Sequence, residues 1–149
     1  MNIEKPNNEI RQAQERIVED FALFDDWIDR YQYIMDLGRQ AAEFPEEWKV
    51  RKNLLEGCQS QVWIVTEVLE KRLHYYASSD SAIVAGLIAI LLSVYSGQTA
   101  ADIVSTPPEF IEKLQLGEHL SPTRSNGLHA MINHIKQKAI EVLAQETSN

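Results

Sequence analysis

Thiol chemistry in this chain can come from one place, because Cys58 is the only cysteine among 149 residues. It stands in the run Leu55-Glu56-Gly57-Cys58-Gln59-Ser60-Gln61-Val62-Trp63, where a polar, glycine-containing turn meets an apolar, β-branched segment. A lone thiol can neither close an intramolecular disulfide nor build a cysteine cage around a metal. Three uses remain: an inert core residue, a nucleophile, or a carrier of a group on sulfur. The tendency of free cysteine to be buried favours the first. Gly57, Gln59 and Ser60 favour the other two, since glycine opens turn conformations closed to other residues and a buried strand has no use for two polar side chains.

Other side chains offer weaker chemistry. Of the four histidines, His74, His119, His129 and His134, the last two are five apart on one helix and face different sides, unlike a ligand pair four apart, so no metal site is expected. A Cys–His catalytic pair requires the fold to bring a histidine to Cys58, and no spacing indicates it. The acid pairs Asp25-Asp26 and Glu46-Glu47 are adjacent in sequence, so they read as caps and solvated loop. Arg124 falls in the first turn of a helix opened by Ser121-Pro122, where a cation opposes the positive end of the helix dipole. Either it is a surface arginine paired with Asp80 or a nearby glutamate, or it joins the helix's free amides in an anion-friendly spot that favours thiolate or persulfide. Lys49, Arg51 and Lys52 read as a solvated edge that could steer docking to an acidic lip on a partner.

The elements that must position these residues follow from periodicity. Asn7 or Asn8 is expected to cap a first helix with Ile10, Ala13, Ile17, Phe21 and Phe24 on one face. Asp25 or Asp26 starts a second, with Trp27, Tyr31, Ile34 and Leu37 inward, and the two are expected to pack as an antiparallel pair. Gly38 is expected to loosen the end of the second helix, and Pro45 marks an irregular connection. Residues 62–69 and then 72–77 predict a hairpin with Leu73, Tyr75 and Ala77 on its packed face. Glu70-Lys71 is a poor tight turn, and residues 52–55 could add a third short strand. Residues 82–95 contain one polar side chain, Ser93, and are too few to span a bilayer, so they predict a helix buried on all sides, capped by Ser79 or Asp80 and ended by Gly97. Further helices are expected near Thr99, Thr106-Pro107 and Ser121-Pro122, the last with Leu128, Met131 or Ile132, Ile135, Ala139 and Val142 buried. Helices, a small antiparallel sheet of two or three strands, then more helices make an α+β class.

Composition sets the outer bounds. The length suits one domain, residues 1–149, with a short polar tail from Gln145. Residues 1–10 carry no apolar run and no basic flank, so no secretory signal is expected and the cytoplasm is the default. A net charge of −8 repels phosphate backbones and anionic headgroups, which argues against nucleic-acid and membrane partners.

The run EGCQSQVW, then Ser79-Asp80 before an apolar helix, then HLSPTRSNGL from His119 to Leu128, resembles the SufE family of sulfur-acceptor proteins, including its CsdE branch. The motifs occur in the same order over nearly the whole chain. The resemblance implies a persulfide relay with no cofactor of its own. A pyridoxal-phosphate cysteine desulfurase of the SufS or CsdA kind hands sulfur to Cys58, which passes it to an iron–sulfur scaffold complex, and the acceptor stimulates the desulfurase without being an enzyme itself. It further implies a partner- and anion-binding surface around Gly57, Gln59, Ser60, Asp80, Ser121, Arg124 and Ser125. Asp80 matches the second acid of the family's Asp-Ser-Asp pattern, and Ser78 stands where the first is often found. From the residues alone, the alternative is a small cysteine-nucleophile enzyme, a thiol transferase or hydrolase acting without a partner. A cluster scaffold lacks the ligands in a chain with one cysteine, and a plain interaction module would be indifferent to Cys58→Ser.

Overall fold

The apolar run Ala82–Tyr95 forms one helix from end to end, designated α3 below, and the rest of the chain is arranged to cover it. A computed structural model describes residues 8–41 and 43–147. In order, the chain forms α1 (Asn8–Phe21), α2 (Trp27–Arg39), two 3-10 turns (Glu46–Trp48 and Arg51–Asn53), β1 (Val62–Leu69), β2 (Arg72–Ser79), α3, β3 (Gln98–Thr99), α4 (Ala100–Ser105), α5 (Glu109–Lys113), α6 (Leu116–His119) and α7 (Pro122–Thr147). The strands make one antiparallel sheet in the order β1-β2-β3, the α+β class that the sequence predicts. Among the described residues no helix is long and apolar enough to cross a membrane.

Helix α3 buries Ile83, Leu87, Ile88, Ile90, Leu91 and Val94 around its circumference, and each such side chain withdrawn from water contributes roughly 1.5–3 kcal/mol. Its start is capped by Ser81, whose hydroxyl accepts from the Val84 amide. Ser79 and Asp80, the expected caps, are used elsewhere: Ser79 accepts from Ser81 N and Asp80 from Gln61 N. At the far end Gly97, with φ +83°, turns the chain so that its amide donates to Leu73 O at 2.7 Å.

Packing departs from the sequence in three respects. First, α1 and α2 do not form the expected antiparallel pair. Helix α2 packs chiefly on α3, while α1 lies against α3 and α5 and meets α2 through Asp20 and Phe21 around Tyr33, joined there by Phe24, which lies beyond the end of α1 and not on its face as expected. The cause is glycine: Gly86 of α3 lies so close to α2 that an added Cβ would stand 2.0 Å from Ile34 O, and one on Gly38 would stand 2.7 Å from Gly86 N. Gly38 therefore permits a close helix crossing and does not loosen the end of α2, which runs on to Arg39. Second, the hairpin turn at Glu70-Lys71 is tight, both residues taking positive φ (52° and 65°), and it sets the register Leu69 opposite Arg72. Third, Leu54 makes only an isolated bridge to Trp63, and Gln98–Thr99 supplies the third strand.

The remaining helices follow their caps. Asp26 caps α2 by accepting from Asp29 N, and Thr99 caps α4 through Asp102 N. Thr106 does not open a helix: its hydroxyl donates to Asp102 O at the end of α4, and α5 begins after Pro108. Gln14 joins α1 to α5 with both ends of its amide, donating to Pro107 O and accepting from Phe110 N. Of the two residues expected to cap α1, Asn7 lies outside the described residues and Asn8 opens the helix. Ser148 and Asn149 of the polar tail also lie outside them, and Gln145 to Thr147 belong to α7. Helix α7 buries Leu128, Met131, Ile132, Ile135 and Ala139, and the buried Tyr75 hydroxyl donates to Ile135 O at 2.8 Å, tying the sheet to its midpoint.

The helix crossing yields a prediction with a decided sign. Alanine exceeds glycine in helix propensity by about 1 kcal/mol, but at Gly86 the methyl meets backbone that has nowhere to go. Gly86→Ala is expected to destabilise by about 3 kcal/mol, whereas Gly117→Ala, with nothing within 4 Å of its Cβ, is expected to be neutral or slightly stabilising. Urea unfolding midpoints of the two variants check this, and a Gly86→Ala midpoint equal to wild type would refute the close crossing.

Candidate functional site

The cysteine loop is a connection with firm roots and a loosely held tip. At its base Leu54 bridges to Trp63, Leu55 N donates to Val62 O at 2.8 Å, and Gln61 exchanges two hydrogen bonds with Asp80, its amide donating to Oδ1 and its carbonyl accepting from Asp80 N. The loop therefore leaves and rejoins the protein at the open end of the β1–β2 hairpin. Between the roots, Glu56, Gly57, Gln59 and Ser60 make no hydrogen bond to the rest of the described residues. What holds the tip down is contact with α7. Gly57, at φ +93°, lies where a Cβ would sit 3.4 Å from Ala130 Cβ, and Cys58 Sγ lies 3.7 Å from Gly127 O, within reach of a weak S–H···O bond.

Cys58 is half-buried in a cavity of about 20 Å³ lined by Val84 of α3, by Thr123, Arg124, Gly127 and Met131 of α7, and by Gln59 and Ser60 of its own loop. That volume holds about one water-sized sphere. Burial pushes the thiol above its ordinary pKa, so at neutral pH the resting sulfur is protonated, a poor nucleophile and a poor target for oxidants.

The structure brings Gly57, Gln59, Ser60 and Arg124 together around Cys58 and assigns other work to the rest. Ser121 caps α7, its hydroxyl accepting from Arg124 N and its carbonyl from Ser125 N. With those two amides taken and Pro122 having no N–H, the expected group of free helix amides reduces, among the described residues, to that of Thr123, and an anion at this end depends chiefly on the guanidinium. Arg124 is exposed and, among the described residues, forms no ion pair, with Asp80 or with any glutamate. It does not poise the resting thiol as thiolate, because burial prevails. Asp80 does not line the cavity; it anchors the loop root. The apolar shelter is built from Val84, on the helix that begins at Ala82, and from Gly127 and Met131 of α7, whereas Val62 is core and Trp63 lies under the Lys49 ammonium.

Gly127 and Met131 were not singled out by periodicity as site residues. A signal existed in Gly127, because glycine inside a helix costs about 1 kcal/mol against alanine and so marks a packing need. No histidine, aspartate or glutamate lines the cavity, so the described residues supply no base for a free-standing nucleophile. His119 instead stacks on Trp27, with ring centroids 4.0 Å apart. His129 is exposed on α7, and His134 is buried enough that desolvation, helped by Lys138 and opposed by Glu141, lowers its pKa. Arg51 and Lys52 are solvated, and Lys49 is bonded to Glu46.

Comparison with known proteins agrees with this architecture. The chain is 41% identical over 130 residues to an uncharacterized SufE-like protein of Rhizobium meliloti, covering 84% of this chain and 93% of that one. It is 40% identical over 130 residues to an uncharacterized SufE-like protein of Rhizobium etli, covering 84% and 88%. A hypothetical protein from Thermus thermophilus, solved in solution, shares the fold with a TM-score of 0.72 over 89% of this chain and 96% of that one, at 17% identity. The family model described as "SufE: Fe-S metabolism associated domain" matches residues 15–139. This chain therefore belongs to the SufE family, associated with iron–sulfur metabolism.

Proposed function

We propose that this protein is a persulfide carrier, with Cys58 as its sulfur-bearing residue and a pyridoxal-phosphate cysteine desulfurase as its donor. The Cys58 thiolate attacks the terminal sulfur of the donor's persulfide. A new S–S bond forms on Cys58, the donor's own S–S bond breaks, and the donor cysteine leaves as thiolate, so the exchange is redox-neutral. The loaded protein then delivers the sulfur to an iron–sulfur scaffold complex, and by clearing the donor it stimulates the desulfurase. The work is done in the cytoplasm, by one domain and with no cofactor on this chain.

One observation carries this reading: the tip of the loop is tied to the body by the cysteine's weak hydrogen bond and by van der Waals contact alone. A partner that contacts the loop more strongly in its open state has little to overcome, and only such unequal binding shifts the two populations. The closed state keeps the sulfur from solvent thiols between transfers. Arg124, at the cavity wall with no ion-pair partner among the described residues, can accept the developing thiolate or persulfide charge when the loop moves. A freely acting cysteine enzyme needs an activated thiol at rest, and the raised pKa of Cys58 runs the other way.

Incubation with a desulfurase and cysteine is expected to add the mass of sulfur, removable by reductant, to the wild type and none to a folded Cys58→Ser variant; acceptance by that variant would end the proposal. Arg124→Ala is expected to slow sulfur acceptance while moving stability by no more than about 0.5 kcal/mol, the usual range for an exposed side chain. A large fall in melting temperature with normal transfer would make Arg124 structural. The pH dependence of alkylation follows from linkage. A folded-state pKa raised above the unfolded value means that docking favours the protonated thiol, a contribution present below the unfolded pKa and lost as pH rises through the folded one. Alkylation of the isolated protein is therefore expected to be slow at neutral pH and to rise with a midpoint above that of a free thiol. Addition of the desulfurase is expected to speed alkylation and to change hydrogen exchange across residues 54–62. A free-thiol rate without partner would contradict the docked loop.

A further inference from the structure

We infer that Gly127 sets the length of sulfur chain the shelter accepts, so that the docked loop admits one added sulfur atom on Cys58 and rejects two. This rests on the carrier reading above and concerns the same cavity.

The geometry is specific. A sulfur bonded to Sγ stands about 2 Å from it, so it must occupy free space adjoining Sγ. The sheltered space there measures about 20 Å³, enough for about one water-sized sphere, so the outer sulfur of a chain of two must extend past the exposed Thr123 and Arg124 into solvent. Its floor is the bare backbone of Gly127, where a Cβ would lie 3.5 Å from Sγ. That is ordinary van der Waals contact with a thiol, so a methyl group at position 127 leaves the unloaded cysteine a place to dock while taking up room that the added sulfur needs. The other walls are less free to yield: Val84 and Met131 belong to the core, with relative exposures of 7% and 2%. The helix pays about 1 kcal/mol of intrinsic propensity for glycine here, although no positive φ requires it, which is the mark of a position kept open for something to fit against.

The consequence is a sorting rule. A singly loaded carrier closes and travels protected, and an over-loaded one stays open, where thiols trim the outer sulfur.

The test makes the loaded forms chemically, so that no desulfurase is involved. Cys58 is first converted to its 2-thiopyridyl mixed disulfide. Hydrosulfide then attacks the Cys58 sulfur, the mixed S–S bond breaks, thiopyridone leaves with the electron pair, and the persulfide remains. Alkylation by iodoacetamide is followed by intact mass. In the wild type the thiol and the persulfide are expected to react slowly, and the two-sulfur form, made with a disulfide dianion in place of hydrosulfide, about tenfold faster. In Gly127→Ala the thiol is expected to stay within about twofold of wild type, while the persulfide reacts about tenfold faster than the wild-type persulfide, a shift in the closed population alone. Equal protection of the one- and two-sulfur forms in the wild type overturns the inference without recourse to any variant. So does a Gly127→Ala persulfide as protected as the wild-type one, or a variant whose thiol and persulfide lose protection alike. A wild type that obeys the size rule but takes no sulfur from a desulfurase would instead sink the carrier reading and leave the size rule standing.

Discussion

Helix α3 has almost no face to give to water, and that constraint organises the molecule. A helix apolar around nearly its whole circumference must be covered on nearly every side, and the chain does so with α2 on one side, α1 on another, and the sheet and α7 on the rest, leaving Ala82 and Ser93 exposed. The closest of these contacts is with α2, where Gly86 and Gly38 let two backbones approach within the space a methyl group would need. Dispersion falls off steeply with separation, so a close backbone contact gains over the same helices held apart by side chains. The sheet is small because its task is limited: three strands suffice to cover one flank of α3 and to present the open end of a hairpin.

That open end is where the candidate chemistry begins. The loop carrying Cys58 leaves from β1 and is pinned to the end of β2 by the Gln61–Asp80 pair, so the position of its roots is inherited from hairpin register. The surface it rests on is inherited from α7, whose first turn is exposed while its middle is fixed by Tyr75 and by the buried stripe from Leu128 to Ala139. One helix thus both completes the core and walls the sulfur. Its glycine and its exposed arginine are poor choices for helix stability, and in the proposed carrier they suit a wall that admits a sulfur atom and tolerates an anion.

What the sequence made legible was whatever depends on local pattern. The ends of α3, the inward set Leu73, Tyr75 and Ala77, the caps at Asp26, Thr99 and Ser121, and the stripe of α7 all follow from periodicity or from a hydroxyl or carboxylate at a helix start. What it hid were properties of pairs distant in the chain. Gly38 and Gly86 are 48 apart in numbering, and nothing in either neighbourhood says that they touch. The partnering of α2 with α3 instead of α1 follows from that contact. The strand Gln98–Thr99 is too short to show alternation, and Glu70-Lys71 adopts positive φ without the glycine or asparagine that usually signals it. At the site, Cys58, Gly57 and Arg124 stood out by residue type, but Met131 and Val84 looked like ordinary core, as indeed they are.

The electrostatics of the resting site tie these threads together. Helix N-termini and arginines lower thiol pKa values in reactive cysteines, and α7 offers both near Cys58, yet the thiol is pushed up. The reason lies in placement: Ser121 takes the Arg124 and Ser125 amides, Pro122 contributes none, one amide at Thr123 is left, and the guanidinium stays in solvent, where its field is screened. Desolvation by Val84, Gly127 and Met131 is left to dominate. A site built this way keeps sulfur inert while closed and has a solvated cation within reach once the sulfur leaves its pocket. In the proposed carrier, reactivity is then a property of the open loop, and control over it passes to the partner that can hold the loop open.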